Sequence, residues 1–337
     1  MNPPPRERNA ACAPAPLDSR PWPRSYRRKP GADAMASWKD PEIAGVRALL
    51  ASRQPPPGAP APSREQRRAA MDVFGEMGSL PPGCLHEPVV TGGVKGERVA
   101  PTSAAEGRRI LYLHGGGYVG GSPRSHRPLV ARLADAARAS AIVAEYRLGP
   151  EHPCPAAVED AVAVYRAVLD DGAEPERLIV AGDSAGGGLT LALALQLKAL
   201  DLPQPAGLFV ISPWADLTQS HRTYRSKLAD DPMITKAGLD DSAAAYLGGF
   251  DPRDPRASPV FGDFSGLAPL LIQVGSEEAL LGDSLTLAER AGHARVEVRL
   301  EVWPEMIHVW HAFGGQLGAA RRAITAAGSW MDEKLRP

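Results

Sequence analysis

Cysteine is scarce in this chain, and the scarcity bounds its chemistry first. Only Cys12, Cys84 and Cys154 occur in 337 residues. Three widely spaced thiols, an odd number, build neither a disulfide framework nor a metal-ligand pattern. A reducing cytoplasm is the expected setting, and no metal is expected. A charge surplus is missing too: the formal net charge is −1. Nothing in that balance attracts nucleic acid or another polyanion. No apolar run approaches the ~18 residues of a membrane span, so no membrane partner is expected. No internal repeat marks a solenoid or a propeller. What remains is length with a core: 337 residues are enough for one large α/β domain with a small accessory piece, and a 44% hydrophobic content supports a sizeable core.

The first 34 residues hold eight prolines, the basic residues Arg24, Arg27, Arg28 and Lys29, and little apolar periodicity. That composition reads as a disordered extension. Arg27-Arg28 invites a twin-arginine reading, but no hydrophobic segment follows, so a signal peptide is rejected. Met35 is a candidate for the true start, with residues 1–34 an untranslated extension. Residues 36–51 then read as a helix with Ile43, Val46, Leu49 and Leu50 on one face. A proline-rich linker over 54–63 leads to a second amphipathic helix at 64–77, with Ser63 as N-cap. The large α/β domain is expected to begin near Pro88.

Beyond that point, apolar strands at 109–113, 140–146, 178–182, 207–211, 270–274 and 296–302 alternate with helical stretches at 125–138, 156–170, 187–200, 283–292 and 315–334. Such alternation predicts a mostly parallel central sheet with helices on both faces. Residues 216–265, rich in Asp, Pro and Gly, interrupt it and carry one short helix near 236–247.

Three motifs sit at strand ends. The run Leu178-Ile179-Val180-Ala181 leads into Gly182-Asp183-Ser184-Ala185-Gly186, and a Leu/Ala-rich helix follows. Strand, sharp turn and helix are what a nucleophilic serine needs to hold its hydroxyl clear of the backbone. His114-Gly115-Gly116-Gly117-Tyr118 follows the strand Ile110 to Leu113. Consecutive glycines leave N–H groups uncovered that can face a developing oxyanion. No Lys or Thr follows as in a P-loop, which argues against a phosphate cradle. The third feature is order: serine, then acid, then histidine. Ser276-Glu277-Glu278 follows the strand 270–274, and His308 follows the strand 296–302. Three loops thus deliver nucleophile, acid and base to one edge of the sheet.

Together with Tyr146-Arg147-Leu148-Gly149-Pro150-Glu151-His152-Pro153 and Ser212-Pro213-Trp214-Ala215-Asp216-Leu217, these motifs resemble the hormone-sensitive-lipase-like branch of the α/β-hydrolases over residues 36–335. The stretches 35–50 and 274–291 are similar to acetyl-hydrolases of actinobacterial antibiotic biosynthesis, of the bialaphos type. The resemblance implies an α/β-hydrolase fold with a helical cap, formed by residues 35–87 and the insertion at 216–265 on the catalytic domain 88–337. It implies a serine carboxylesterase or acetyl-hydrolase that uses no cofactor. The substrate would be a small acyl ester or an N-acetylated secondary-metabolite precursor. Relatives are often dimers, so a homodimer is an expectation that no residue here marks.

Residue by residue, the resemblance makes Ser184 the nucleophile and His308 the base, with Gly116, Gly117 and Ala185 as oxyanion-hole donors. Many relatives carry Asp-Pro-Leu where this chain has Glu278-Ala279-Leu280, which makes Glu278 the acid. Glu277 and Asp283 compete with it. His311 is the nearest rival of His308. His114 and Asp183 read as structural hydrogen-bonders, and Tyr146-Arg147 as a brace of the sheet. Glu159 and Asp160 read as a solvated helix face. Tyr118 and Trp214 are candidates for substrate contact, and for Trp38 and Trp214 plain packing is an equal reading. A general short-chain carboxylesterase is the alternative enzyme. A ligand receptor on the same scaffold is the non-enzymatic alternative, which the presence of Ser184, His308 and a carboxylate disfavours.

Overall fold

A computed structural model describes residues 40–53, 60, 62–76 and 78–336. The readings for residues 1–34, for Met35 and for Trp38 lie outside the described residues. Among those described, two helices come first: α1 (Pro41–Ser52) and α2 (Arg64–Glu76). Asp40 caps α1 by accepting from Glu42 N–H at 3.0 Å. Eight strands follow in one sheet: β1 (Leu85–Thr91), β2 (Val94–Ala100), β3 (Arg109–Leu113), β4 (Ser140–Ala144), β5 (Leu178–Asp183), β6 (Gly207–Ile211), β7 (Leu270–Gly275) and β8 (Val298–Trp303). Their order is β1-β2-β4-β3-β5-β6-β7-β8. β2 is antiparallel to β1 and β4, and the pairs from β3 onward are parallel.

The hairpin β1–β2 escapes the apolar pattern of the sequence. Leu85 and Val90 stand 73% and 70% exposed, and Pro88 confines β1 to an edge. The signal was the turn Gly92-Gly93, both residues with positive φ, as a two-residue hairpin loop requires. The sheet therefore starts at Leu85 rather than near Pro88.

The central strands are buried on both faces, so they read as continuous apolar runs. Side chains still alternate. Leu111, Leu113, Leu178, Val180, Leu208 and Val210 pack toward α4 (Ala156–Asp170), α5 (Ala185–Ala199) and α8 (Leu281–His293). Ile110, Tyr112, Ile179, Ala181, Phe209 and Ile211 pack toward α3 (Pro123–Ala137) and α9 (Gly318–Lys334). Each fully buried Leu, Ile, Val or Phe side chain among these contributes roughly 1.5–3 kcal/mol, so the strand ends that carry the loops are anchored in the buried core. The chain moves from β3 outward to β4, then crosses to β5 on the other side of β3. The loops after β3 and β5 thus part at a topological switch point, where such sheets open a crevice. Between β6 and β7 lie the short α6 (Thr223–Ser226) and α7 (Lys236–Leu247). Among the described residues, no helix is long and apolar enough to cross a membrane.

Candidate active site

Ser184 links β5 to α5 with φ +53° and ψ −122°, a left-handed conformation rare for any side chain. Such strain costs about 1–3 kcal/mol and persists only where the surroundings impose it. Here Ser184 N–H donates to Ile211 O and Trp214 N–H donates to Ser184 O, each at 2.8 Å. Gly186 is required two residues on: a Cβ there would stand 1.9 Å from Leu113 O.

The structure brings Ser184, His308 and Glu278 together. Ser184 Oγ lies 2.9 Å from His308 Nε2, and His308 Nδ1 lies 2.9 Å from Glu278 Oε2. Glu278 is 0% exposed, His308 4% and Ser184 8%. A carboxylate only accepts, so Nδ1 carries the imidazole hydrogen and Nε2 accepts from the serine hydroxyl. Burial pulls the His308 pKa down, but the hydrogen bond and charge of Glu278 outweigh it, leaving the group above its ordinary value.

The rival acids and base stand elsewhere. Glu277 accepts from Ser276 Oγ at 2.8 Å and faces Lys227 at 3.6 Å. Asp283 Oδ2 accepts from Ala215 N–H (2.8 Å), Asp216 N–H (3.0 Å) and the Tyr224 hydroxyl (2.8 Å). Burial pushes the Asp283 carboxyl up to about 7 against those donors. His311 is buried against Gln273 Oε1 at 2.7 Å, and burial lowers its pKa to about 3.

Sequence reasoning missed Ser212. Its hydroxyl donates to Glu278 Oε1 at 2.7 Å and accepts from Val309 N–H at 3.2 Å. Gly275 N–H donates to the same Oε1 at 2.6 Å. One hydroxyl at the end of β6 therefore ties the acid loop to the base loop. The signal was Ser212-Pro213-Trp214 itself, a polar residue just past a buried strand.

The glycine loop after β3 is held from beneath. Asp183 Oδ1 accepts from Gly115 N–H (3.1 Å) and the Tyr112 hydroxyl (2.8 Å), and Oδ2 faces His126 Nε2 at 3.3 Å. Burial opposes both charges of that pair, yet each partner favours the charged form of the other: the Asp183 pKa is lowered and that of His126 raised. The Tyr146 hydroxyl donates to His114 O at 2.6 Å, and the two rings stack at 4.3 Å. His126 was not singled out from sequence, since its partner lies 57 residues away. The loop turns at Gly116, where φ is +120° and a Cβ would meet Gly120 O at 2.3 Å. Among the described residues, no acceptor takes the N–H of Gly116 or Gly117. Ala185 is the first residue of α5, so its N–H is one of those a helix start leaves without an intrahelical partner.

Ser184, His308, Gly116 and Gly117 line the floor of a cavity of about 620 Å³. α2 and the segment 232–242 wall it. Trp214 lines it as well. Tyr118 does not: with φ +61° its ring packs inward, stacked on Tyr246 at 3.9 Å and beside Trp214 at 6.1 Å. The place of Tyr118 beside the glycine loop marked it as a substrate contact, and its backbone conformation overrides that expectation. Asp160 also departs from the solvated reading. It is buried and clamps Arg147, accepting from its Nε at 2.9 Å and its N–H at 2.8 Å. Among the described residues, no cluster of His, Cys, Asp or Glu is suited to a metal ion.

Residues 110–312 match a family model described as the alpha/beta hydrolase fold. The acetyl-hydrolase of Streptomyces hygroscopicus is 47% identical over 271 residues, 79% of this chain and 89% of that protein. An esterase of Acinetobacter venetianus is 37% identical over 238 residues, 70% of this chain and 78% of its own. Among solved structures, an esterase/lipase from an uncultured bacterium shares 42% identity with a TM-score of 0.83, covering 88% of this chain and 99% of that one. An esterase of the bacterial hormone-sensitive lipase family shares 37% identity with a TM-score of 0.85, at the same coverage.

Proposed function

Because this chain belongs to the α/β-hydrolase fold family, as an ester hydrolase of its hormone-sensitive-lipase-like branch, we propose that it transfers a short acyl group, acetyl foremost, from an ester or amide to water through an acyl-enzyme at Ser184. The observation that carries this reading is the unbroken chain Glu278–His308–Ser184 at the floor of a cavity. Ser184 Oγ attacks the substrate carbonyl as His308 Nε2 takes its proton. Glu278 holds the imidazole in the tautomer that accepts this proton and stabilises the imidazolium that forms. The N–H groups of Gly116, Gly117 and Ala185 receive the oxyanion, and losing one such donor typically costs ~10²–10³ in rate. His308 then protonates the departing alcohol or amine. Water, deprotonated by the same histidine, releases the acid and restores Ser184.

The acetyl preference is supported by the name of the Streptomyces hygroscopicus relative, and the motifs shared with actinobacterial acetyl-hydrolases support a secondary-metabolite precursor as the substrate. Rates on p-nitrophenyl acetate, butyrate, octanoate and palmitate test this, with wild type beside Ser184→Ala. Turnover greatest on the acetate and lost in the variant is expected. A maximum at octanoate sinks the acetyl reading. Folded wild type that a fluorophosphonate fails to label sinks the serine nucleophile and restores the receptor. Acetate and butyrate cleaved alike favour the general short-chain carboxylesterase.

A further inference from the structure

The face of α2 that lines the cavity changes character along its length. Arg64, Arg67 and Arg68 occupy its first turns, and Met71 and Phe74 follow on the same side at helical spacing. Cations in a first turn oppose the helix dipole, so helix stability does not explain them. Arg68 has a structural task. It donates to Val119 O (2.7 Å) and Gly149 O (3.0 Å) and pairs with Glu151 at 2.8 Å. Arg64 and Arg67 do not have enough counter-charge. Both turn to one carboxylate, Asp241 on α7, at 3.2 and 3.1 Å. Arg64 Nε is buried and has no hydrogen-bond partner among the described residues.

Arg64, Arg67 and Arg68 share two carboxylates, Asp241 and Glu151, which leaves a positive charge and an unused donor at the wall of a cavity whose remaining lining is largely apolar, as at Leu50, Met71, Phe74 and Leu239. Apolar walls strengthen that charge. Asp241 already demonstrates the preferred guest: one nitrogen of Arg64, Nη2, lies 3.2 Å from each of its oxygens, a charge-assisted contact to a carboxylate. We propose that Arg64 and Arg67 form an anion subsite that receives a carboxylate carried on the leaving portion of the substrate. The substrate class is then a short-acyl ester or amide whose alcohol or amine part has an apolar body and ends in a carboxylate. This rests on the short-acyl reading, because an acetyl group has no room for a remote charge of its own. Asp241 competes with the substrate for the same donors and tunes the subsite.

The test compares kcat/KM for para-acetoxyphenylacetate and for its methyl ester, with p-nitrophenyl acetate as the neutral reference. Wild type should favour the carboxylate by about tenfold or more, from charge-assisted hydrogen bonds. The preference should shrink as added salt shortens the screening length. Arg64→Gln with Arg67→Gln should bring the ratio to unity or below, leaving Asp241 alone before the substrate. Asp241→Asn should raise it, an opposite sign that a merely structural role does not give. Equal rates on the two esters in wild type, or a ratio untouched by the arginine substitutions, overturn the subsite. Failure on p-nitrophenyl acetate would instead count against the short-acyl reading. In that event calorimetric binding of para-hydroxyphenylacetate to Ser184→Ala protein decides: salt-sensitive binding upholds the subsite, and none refutes it.

Discussion

Replacing Glu278 by glutamine keeps the side chain's shape and removes its charge. The buried geometry dictates how the amide must sit. Gly275 N–H and the Ser212 hydroxyl both donate to Oε1, so the amide oxygen takes that place. The amide NH₂ then stands 2.9 Å from His308 Nδ1, where the carboxylate was. Nδ1 must now accept, the hydrogen moves to Nε2, and Nε2 faces Ser184 as a donor. The base is held in the wrong tautomer. The charge stabilising the imidazolium is lost as well: at about 4 Å and an effective dielectric of about 20, that is ~4 kcal/mol, or about a thousandfold in rate. With the tautomer effect, kcat/KM on p-nitrophenyl acetate should fall by about 10³–10⁴. Glu278→Asp keeps the charge one methylene short and should recover part of the loss. Glu277→Gln, whose partners are Ser276 and Lys227, should stay near wild type. A folded Glu278→Gln protein within about tenfold of wild type would refute the reasoning.

The raised pKa of His308 fixes the sign of the pH dependence: Ser184 loses its proton acceptor as pH falls through that value, so the acid limb of kcat/KM should lie above 6.5, and a limb below it contradicts the proposed base. Asp283, pushed up to about 7 by burial, binds its proton more tightly folded than unfolded, so its contribution to stability is full below its unfolded value and lost as pH rises toward 7. Asp283→Asn cannot ionise, and its Tm should gain on wild type as pH rises from about 4 to about 7; parallel curves would show the carboxylate is not penalised. Gly186→Ala forces a Cβ against Leu113 O at 1.9 Å and should cost at least about 1–3 kcal/mol of stability together with activity, read by Tm and p-nitrophenyl acetate. An unchanged Tm would mean that the elbow yields.

The centre of the sheet was legible because burial on both faces writes a strand as an unbroken apolar run, and the serine and glycine motifs declare themselves at its ends. The edge was not, because β1 has no buried side to imprint a pattern. Contacts between distant residues were also silent. Ser212 and Glu278 are 66 residues apart, and nothing periodic connects them. Asp160 shows the same limit, since a helical carboxylate looks solvated until Arg147 is seen to reach it. Tyr118 marks a different one: proximity in sequence fixes where a Cα lies and leaves the direction of the ring to φ.

The glycine loop has its neighbours on the outside as well as beneath. A Cβ on Gly120 would touch Met71 Sδ at 3.2 Å, and one on Gly117 would touch Ser242 Oγ at 2.9 Å. The helices that wall the cavity therefore stand beside the turn proposed to stabilise the reaction's charge. On the proposed mechanism, selectivity and rate would be joined through that neighbourhood, and α2 and α7 would not be an interchangeable module. Graftings that widen the chamber while keeping the contacts of Met71 and Ser242 should preserve turnover, whereas those that trade these two residues should alter turnover even for substrates that fit.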